Sequence, residues 1–111
     1  MTEPQHCQVV TTTDSREAAD ALASAAVEAR AAACAQIVGP IASTYWWEGK
    51  VETAQEWQVV FKTAVERYPE LEANIKAHHG YDVPEIVCTP IIGGNPAYLE
   101  WVTAETVARP S

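Results

Sequence analysis

Apolar positions along the chain alternate between a period of two and a period near 3.6. His6-Cys7-Gln8-Val9-Val10-Thr11-Thr12-Thr13 is β-branched and reads as a first strand. Asp14 or Ser15 then caps a helix, with Asp14 and Glu17 at the spacing of a capping box. Ala18, Leu22, Ala25, Ala26 and Ala29 keep the helical period, and the helix is expected to run to about Ala32. Its abundance of alanine lets it lie very close to whatever it covers. Ala33 to Val38 predicts a second strand, interrupted at Gly39-Pro40, a pair that signals a bulge or an edge. The strand resumes at Ile41 and turns through Glu48-Gly49-Lys50 into a return limb ending at Thr63, giving a long hairpin. On that limb Trp57, Val59 and Phe61 share one face, and Gln58, Val60 and Lys62 the other.

Pro69 suits the first turn of a second helix, with Leu71, Ile75 and His78 as its apolar stripe, Glu72 and Lys76 as a supporting pair, and Gly80 as its stop. Glu85 to Ile92 predicts a fourth strand, Gly93-Gly94-Asn95-Pro96 a turn, Tyr98 to Val102 a short closing strand, and Thr103 to Ala108 a helical turn or two. The order is β-α-β-β-α-β plus a tail. Right-handed crossovers in both halves give an α+β fold of ferredoxin-like βαββαβ type, with a four-stranded antiparallel sheet and two helices on one face. The other face stays bare and the hairpin outruns the helices. Trimer or dimer formation is the economical way to cover such a surface.

Length sets one domain over residues 1–111, with its core in about 6–108. Hydrophobic content of 48% and charged content of 20% suit a folded globular chain. The formal charge of −8, with seven scattered basic residues, argues against a nucleic-acid partner. No apolar run approaches the roughly 20 residues of a membrane span. The amino terminus has neither a basic nor an apolar region, so no signal peptide is expected and the protein is placed in the cytoplasm. Cys7, Cys34 and Cys88 are odd in number and widely spaced, as reduced thiols are.

Candidate chemistry concentrates in Lys76-Ala77-His78-His79-Gly80-Tyr81-Asp82-Val83-Pro84-Glu85. The stretch can be a helix stop followed by a loop. Alternatively, one imidazole and the Glu85 carboxylate converge on a cation or small ligand, a pair that suits Zn or Cu(II). Adjacent histidines lie about 100° apart on a helix and cannot chelate one ion as an i,i+4 pair would. A third ligand would have to come from Cys7, Cys88, His6 or another subunit. Tyr45, Trp46 and Trp47 suit contact with core and partner better than ligand stacking, and Glu48 with Glu52 suits a solvated turn. No nucleophile–base pair is visible, so an enzymatic role is not expected.

Ala31-Ala32-Ala33-Cys34-Ala35, Tyr45-Trp46-Trp47-Glu48-Gly49-Lys50, Lys62-Thr63, His78-His79-Gly80-Tyr81, Val83-Pro84-Glu85-Ile86, Pro90-Ile91 and Tyr98-Leu99-Glu100-Trp101 together resemble the CutA divalent-cation tolerance family. The likeness extends from about Val9 to Val102. It implies a tight homotrimer in which the long hairpin embraces its neighbours, an architecture similar to the PII signalling proteins. It also implies a non-enzymatic role in tolerance of copper and other divalent metals, with no cofactor required. The family's copper-associated positions fall on Thr11, His78 and Glu85. A threonine stands where bacterial members have cysteine, so any copper site is expected to be weaker or to recruit Cys7. The alternative is a PII-like signalling or interaction module that binds a small metabolite or a partner protein in clefts between subunits.

Overall fold

The computed structural model describes residues 3–108. Strand β1 spans His6–Thr13, helix α1 Arg16–Glu28, β2 Cys34–Trp47, β3 Lys50–Ala64, α2 Tyr68–His78, β4 Val87–Ile91 and α3 Pro96–Glu105, with a 3₁₀ turn at Val65–Arg67 before α2. The four strands form one antiparallel sheet in the order β2-β3-β1-β4. Both crossovers carry their helices to the same face, so the βαββαβ architecture expected from the periodicity is the one observed.

Alternation along the strands sets which side chains meet the helices. Cys7 and Val9 of β1 and Val59 and Phe61 of β3 enter the core. There they pack with Ala19, Leu22 and Ala26 of α1 and with Leu71 and Ile75 of α2. The small α1 side chains set the close approach of helix to sheet. Phe61, Val9, Leu71 and Ile75 are completely buried.

β2 and β3 make a long ribbon whose register shifts between Val38, opposite Gln58, and Ile41, opposite Glu56. Gly39-Pro40 therefore forms the bulge its sequence suggests. A side chain at Gly39 would sit 2.7 Å from Trp57 Cδ1, so the residue must be glycine for the ring to pack there. The tip is a two-residue turn with Glu48 at φ 49° and Gly49 at φ 78°, the left-handed pair that matches strand twist. Trp46 and Trp47, at 75% and 61% exposure, stand in solvent beside it.

Four expectations about the elements need correction. Gly80 is not the left-handed terminator of α2 that its place suggests: the helix is capped by His79 in extended backbone, and Gly49 is the one glycine with positive φ among the described residues. α1 ends at Glu28 with Ala29 as its cap, short of Ala32. Arg30, at φ 60°, donates to the Val27 carbonyl at 3.0 Å, and Ala31 donates to that of Ala26 at 3.0 Å. This is a Schellman stop with arginine where glycine is usual, and burial of Ala31 and Ala26 supplies its apolar contact. The closing strand at Tyr98 to Val102 does not form: Pro96–Glu105 is the helix α3. Asn95 accepts from the Ala97 amide at 3.1 Å and Pro96 occupies the first turn, so these residues start a helix and do not merely make a turn. β4 begins at Val87, two residues later than Glu85.

α3 also qualifies the bare second face. His6, on the side of β1 opposite the core, contacts Thr103 Oγ1 through Nε2 at 2.8 Å, and Cys34 lies 3.5 Å from Tyr98 Oη. Val102 is fully buried, so α3 covers one end of that face. Val38 and Val87 elsewhere on it remain about half exposed, at 48% and 49%.

Candidate functional site

The carboxyl end of α2 and the loop after it meet the end of β1 and the middle of β3. His79 Nε2 lies 2.9 Å from the Thr12 carbonyl, and the Tyr81 amide donates to His79 Nδ1 at 3.0 Å. A carbonyl only accepts and an amide N–H only donates, so the proton sits on Nε2. The ring is locked in one tautomer with both nitrogens engaged. Tyr81 packs against it with ring centroids 4.8 Å apart, and its hydroxyl donates to Glu56 Oε2 at 2.8 Å. Glu56 is buried, with 8% exposure, so this hydrogen bond serves a carboxylate largely withdrawn from water. Burial, then the Glu56 carboxylate, hold the Tyr81 phenol well above the ordinary tyrosine range.

His78 does not join the core stripe with Leu71 and Ile75 as its spacing suggested. It is exposed, and its Nδ1 is 2.8 Å from the Asn74 carbonyl one turn back. Nδ1 is therefore the protonated nitrogen of the neutral ring, and Nε2 keeps a free lone pair. An imidazole whose second nitrogen donates to a backbone carbonyl is the arrangement found in metal-ligating histidines. Glu85 is also exposed, and no hydrogen bond or ion pair of its carboxylate occurs among the described residues. Thr11, at the position of the family cysteine, is wholly buried, and its hydroxyl has no hydrogen-bond partner.

These residues do not form a metal centre within one chain: among the described residues, no group of three His, Cys, Asp or Glu side chains is placed to hold an ion. His6 and Cys7 occupy the opposite end of β1 from Thr12, roughly 15–20 Å along the strand. Cys88, paired with Val9, lies midway along β1, and among the described residues it forms no three-donor group with His78 and Glu85. What one chain offers is an imidazole and a carboxylate, both open to solvent. Imidazole and carboxylate are donor types that borderline divalent cations accept. Sequence reasoning missed the locked His79–Tyr81–Glu56 chain. Glu56 lies in a run of hairpin residues that reads as solvated, and only its burial under Tyr81 reveals its role.

Fold and site thus define a ferredoxin-like α+β protein with solvent-facing nitrogen and oxygen donors at one helix end. Residues 7–105 match the model of the CutA1 divalent ion tolerance protein family, and the chain belongs to that family. It is 44% identical to the divalent-cation tolerance protein CutA of Thermus thermophilus, over 88% of this chain and 95% of that one. The solved structure of the Cut A1 protein from the same organism superposes with a TM-score of 0.89 at 42% identity, covering 92% of this chain and 99% of the other. The chloroplastic CutA 1 protein of Oryza sativa subsp. japonica is 44% identical over 88% of this chain, which spans only 55% of that protein's length.

Proposed function

We propose that the chain acts as a homotrimer in tolerance of divalent metal ions, copper among them, by binding rather than catalysis. His78 Nε2 and the Glu85 carboxylate supply the ligands that one chain offers, and a neighbouring subunit completes the cleft. The observation that carries this reading is His78 itself: exposed, with Nδ1 committed to Asn74 and Nε2 left to accept a cation. Calorimetric titration of Cu(II) and Zn(II) into the wild type and His78→Ala tests it. Loss of heat in the variant is expected; identical isotherms, or no heat with either protein, would refute the site.

The exposed Trp46 and Trp47 at the hairpin tip, with half-exposed Val38 and Val87, support assembly. Light scattering on a size-exclusion column is expected to give about three times the 12.1 kDa of one chain, and a monomer mass would overturn the trimer. The same exposed aromatics favour a second reading, a PII-like signalling or interaction module whose inter-subunit clefts bind a metabolite or a partner protein. Native mass spectrometry of protein isolated under gentle conditions separates the two, since a co-purifying metabolite is expected only in the second. A cytoplasmic location accords with three free cysteines and with the fact that no helix among the described residues is long and apolar enough to cross a membrane. Cell fractionation checks it.

A further inference from the structure

Along β1, the antiparallel register sets Cys7 opposite Pro90 and Val9 opposite Cys88. Cys7 and Cys88 therefore sit one step apart on adjacent strands and project from the same face, as diagonal neighbours do. Both line one open depression of about 310 Å³, with Glu3, Pro4, Val65 and Pro90 as its other walls. Cys7 forms the buried floor and Cys88 the exposed rim. We propose that this dithiol is a binding site for a soft univalent cation of the Cu(I) or Ag(I) class, held in two-coordinate geometry between the sulfurs.

Diagonal strand neighbours lie about 7–8 Å apart, with somewhat less between Cβ atoms. A disulfide needs Cβ atoms at about 3.8 Å, closer than that general spacing. Two metal–sulfur bonds of about 2.3 Å each bridge a wider gap between sulfurs without strand movement. Thiolates also select soft ions over the borderline divalent cations that suit imidazole and carboxylate. Burial, then the Cys88 thiol beside it, push the Cys7 thiol up to about 12. Binding one univalent cation releases two thiol protons to solvent and forms two metal–sulfur bonds, leaving a centre of net charge −1 with no electron transferred.

Ag(I) is the probe, because it does not cycle between oxidation states. Anaerobic reduced protein titrated with silver nitrate is expected to take up one ion per chain with release of two protons, read by native mass spectrometry and a pH indicator. Cys88→Ser, at an exposed position, is expected to bind about 100-fold more weakly while keeping its circular dichroism spectrum, since the second thiol acts as a tethered ligand. Cys34→Ser is expected to match the wild type, which separates this dithiol from uptake by a single thiol elsewhere. Release of a single proton per ion, unchanged affinity in Cys88→Ser, or loss of binding in Cys34→Ser would each overturn the proposal.

Discussion

Among individual residues, Tyr81 connects the most. It stacks on His79, gives its amide to that ring and its hydroxyl to buried Glu56. Removing the hydroxyl leaves a buried carboxylate without its donor, and an unsatisfied buried group costs more than the hydrogen bond itself contributes. Tyr81→Phe is expected to destabilise the fold by about 1–3 kcal/mol in urea denaturation. Restoring the loss by also replacing Glu56 with an apolar residue would confirm that desolvation, rather than ring packing, is the cause. Sequence reading reached the right dipeptide here but gave its halves the wrong orientations. A helical stripe through Leu71 and Ile75 points His78 inward. Because α2 stops at His78 and His79 has extended backbone, it is His79 that turns back to the sheet and His78 that faces water. A histidine pair at a helix end does not disclose where the last turn stops.

The elements were legible wherever local chemistry and period agreed. The hairpin, its two-residue tip and the Gly39-Pro40 bulge each follow from residues that accept only one local arrangement. The end of α1 was hidden because a Schellman stop normally shows a glycine and here shows Arg30. Its strain is offset by ties to other elements: the guanidinium pairs with Glu105 at 2.8 Å, and the Arg67 guanidinium reaches the Arg30 carbonyl at 3.4 Å. α3 was hidden because Asn95-Pro96 starts a helix as readily as it makes a turn, and Tyr98-Leu99-Glu100-Trp101-Val102 is short enough to fit either period. The bulge gives the sharper test. A methyl at Gly39 would meet Trp57 Cδ1 at 2.7 Å and the Glu56 carbonyl at 3.2 Å. Gly39→Ala is expected to cost about 1–3 kcal/mol, as overpacking does. It is also expected to shift the fluorescence of Trp57, whereas Gly80→Ala, with nothing within 4 Å of its added carbon, leaves both unchanged.

For the whole molecule, titration at high pH reports on packing. Tyr68 is pushed up to about 12 by its hydrogen bond to Glu72 and then by burial, and Tyr98 to about 12 by Cys34 and then by burial. Cys7 rises to about 12 as well, chiefly through burial. In each case the folded form holds a proton that the unfolded chain releases earlier, near pH 9 for the thiol and pH 10 for the phenols. Their contribution to stability is complete below those values and is lost as pH rises toward 12. The melting temperature is therefore expected to fall steadily between about pH 9 and 12. Tyr68→Phe is expected to show a shallower slope, and an unchanged slope would assign the alkaline loss elsewhere.

The shift in register at Gly39-Pro40 works as a phase change in the ribbon. Before it, odd-numbered residues of β2 stand opposite odd-numbered residues of β3, as Ile37 does opposite Val59; beyond it, Tyr45 stands opposite Glu52 and Trp47 opposite Lys50. The bulge absorbs the extra residue locally, so Trp46, opposite Val51, keeps the side of Trp57 and Val59, and Trp47, opposite Lys50, takes the other. Deleting Pro40 would remove the extra residue and leave Trp46 opposite Val51 and Trp47 opposite Lys50, each on its present side. The subunit's own core, built below the bulge, is expected to fold as before by circular dichroism. The proposed assembly is expected to weaken in sedimentation, because the ribbon loses the local bend and added twist that the bulge gives it.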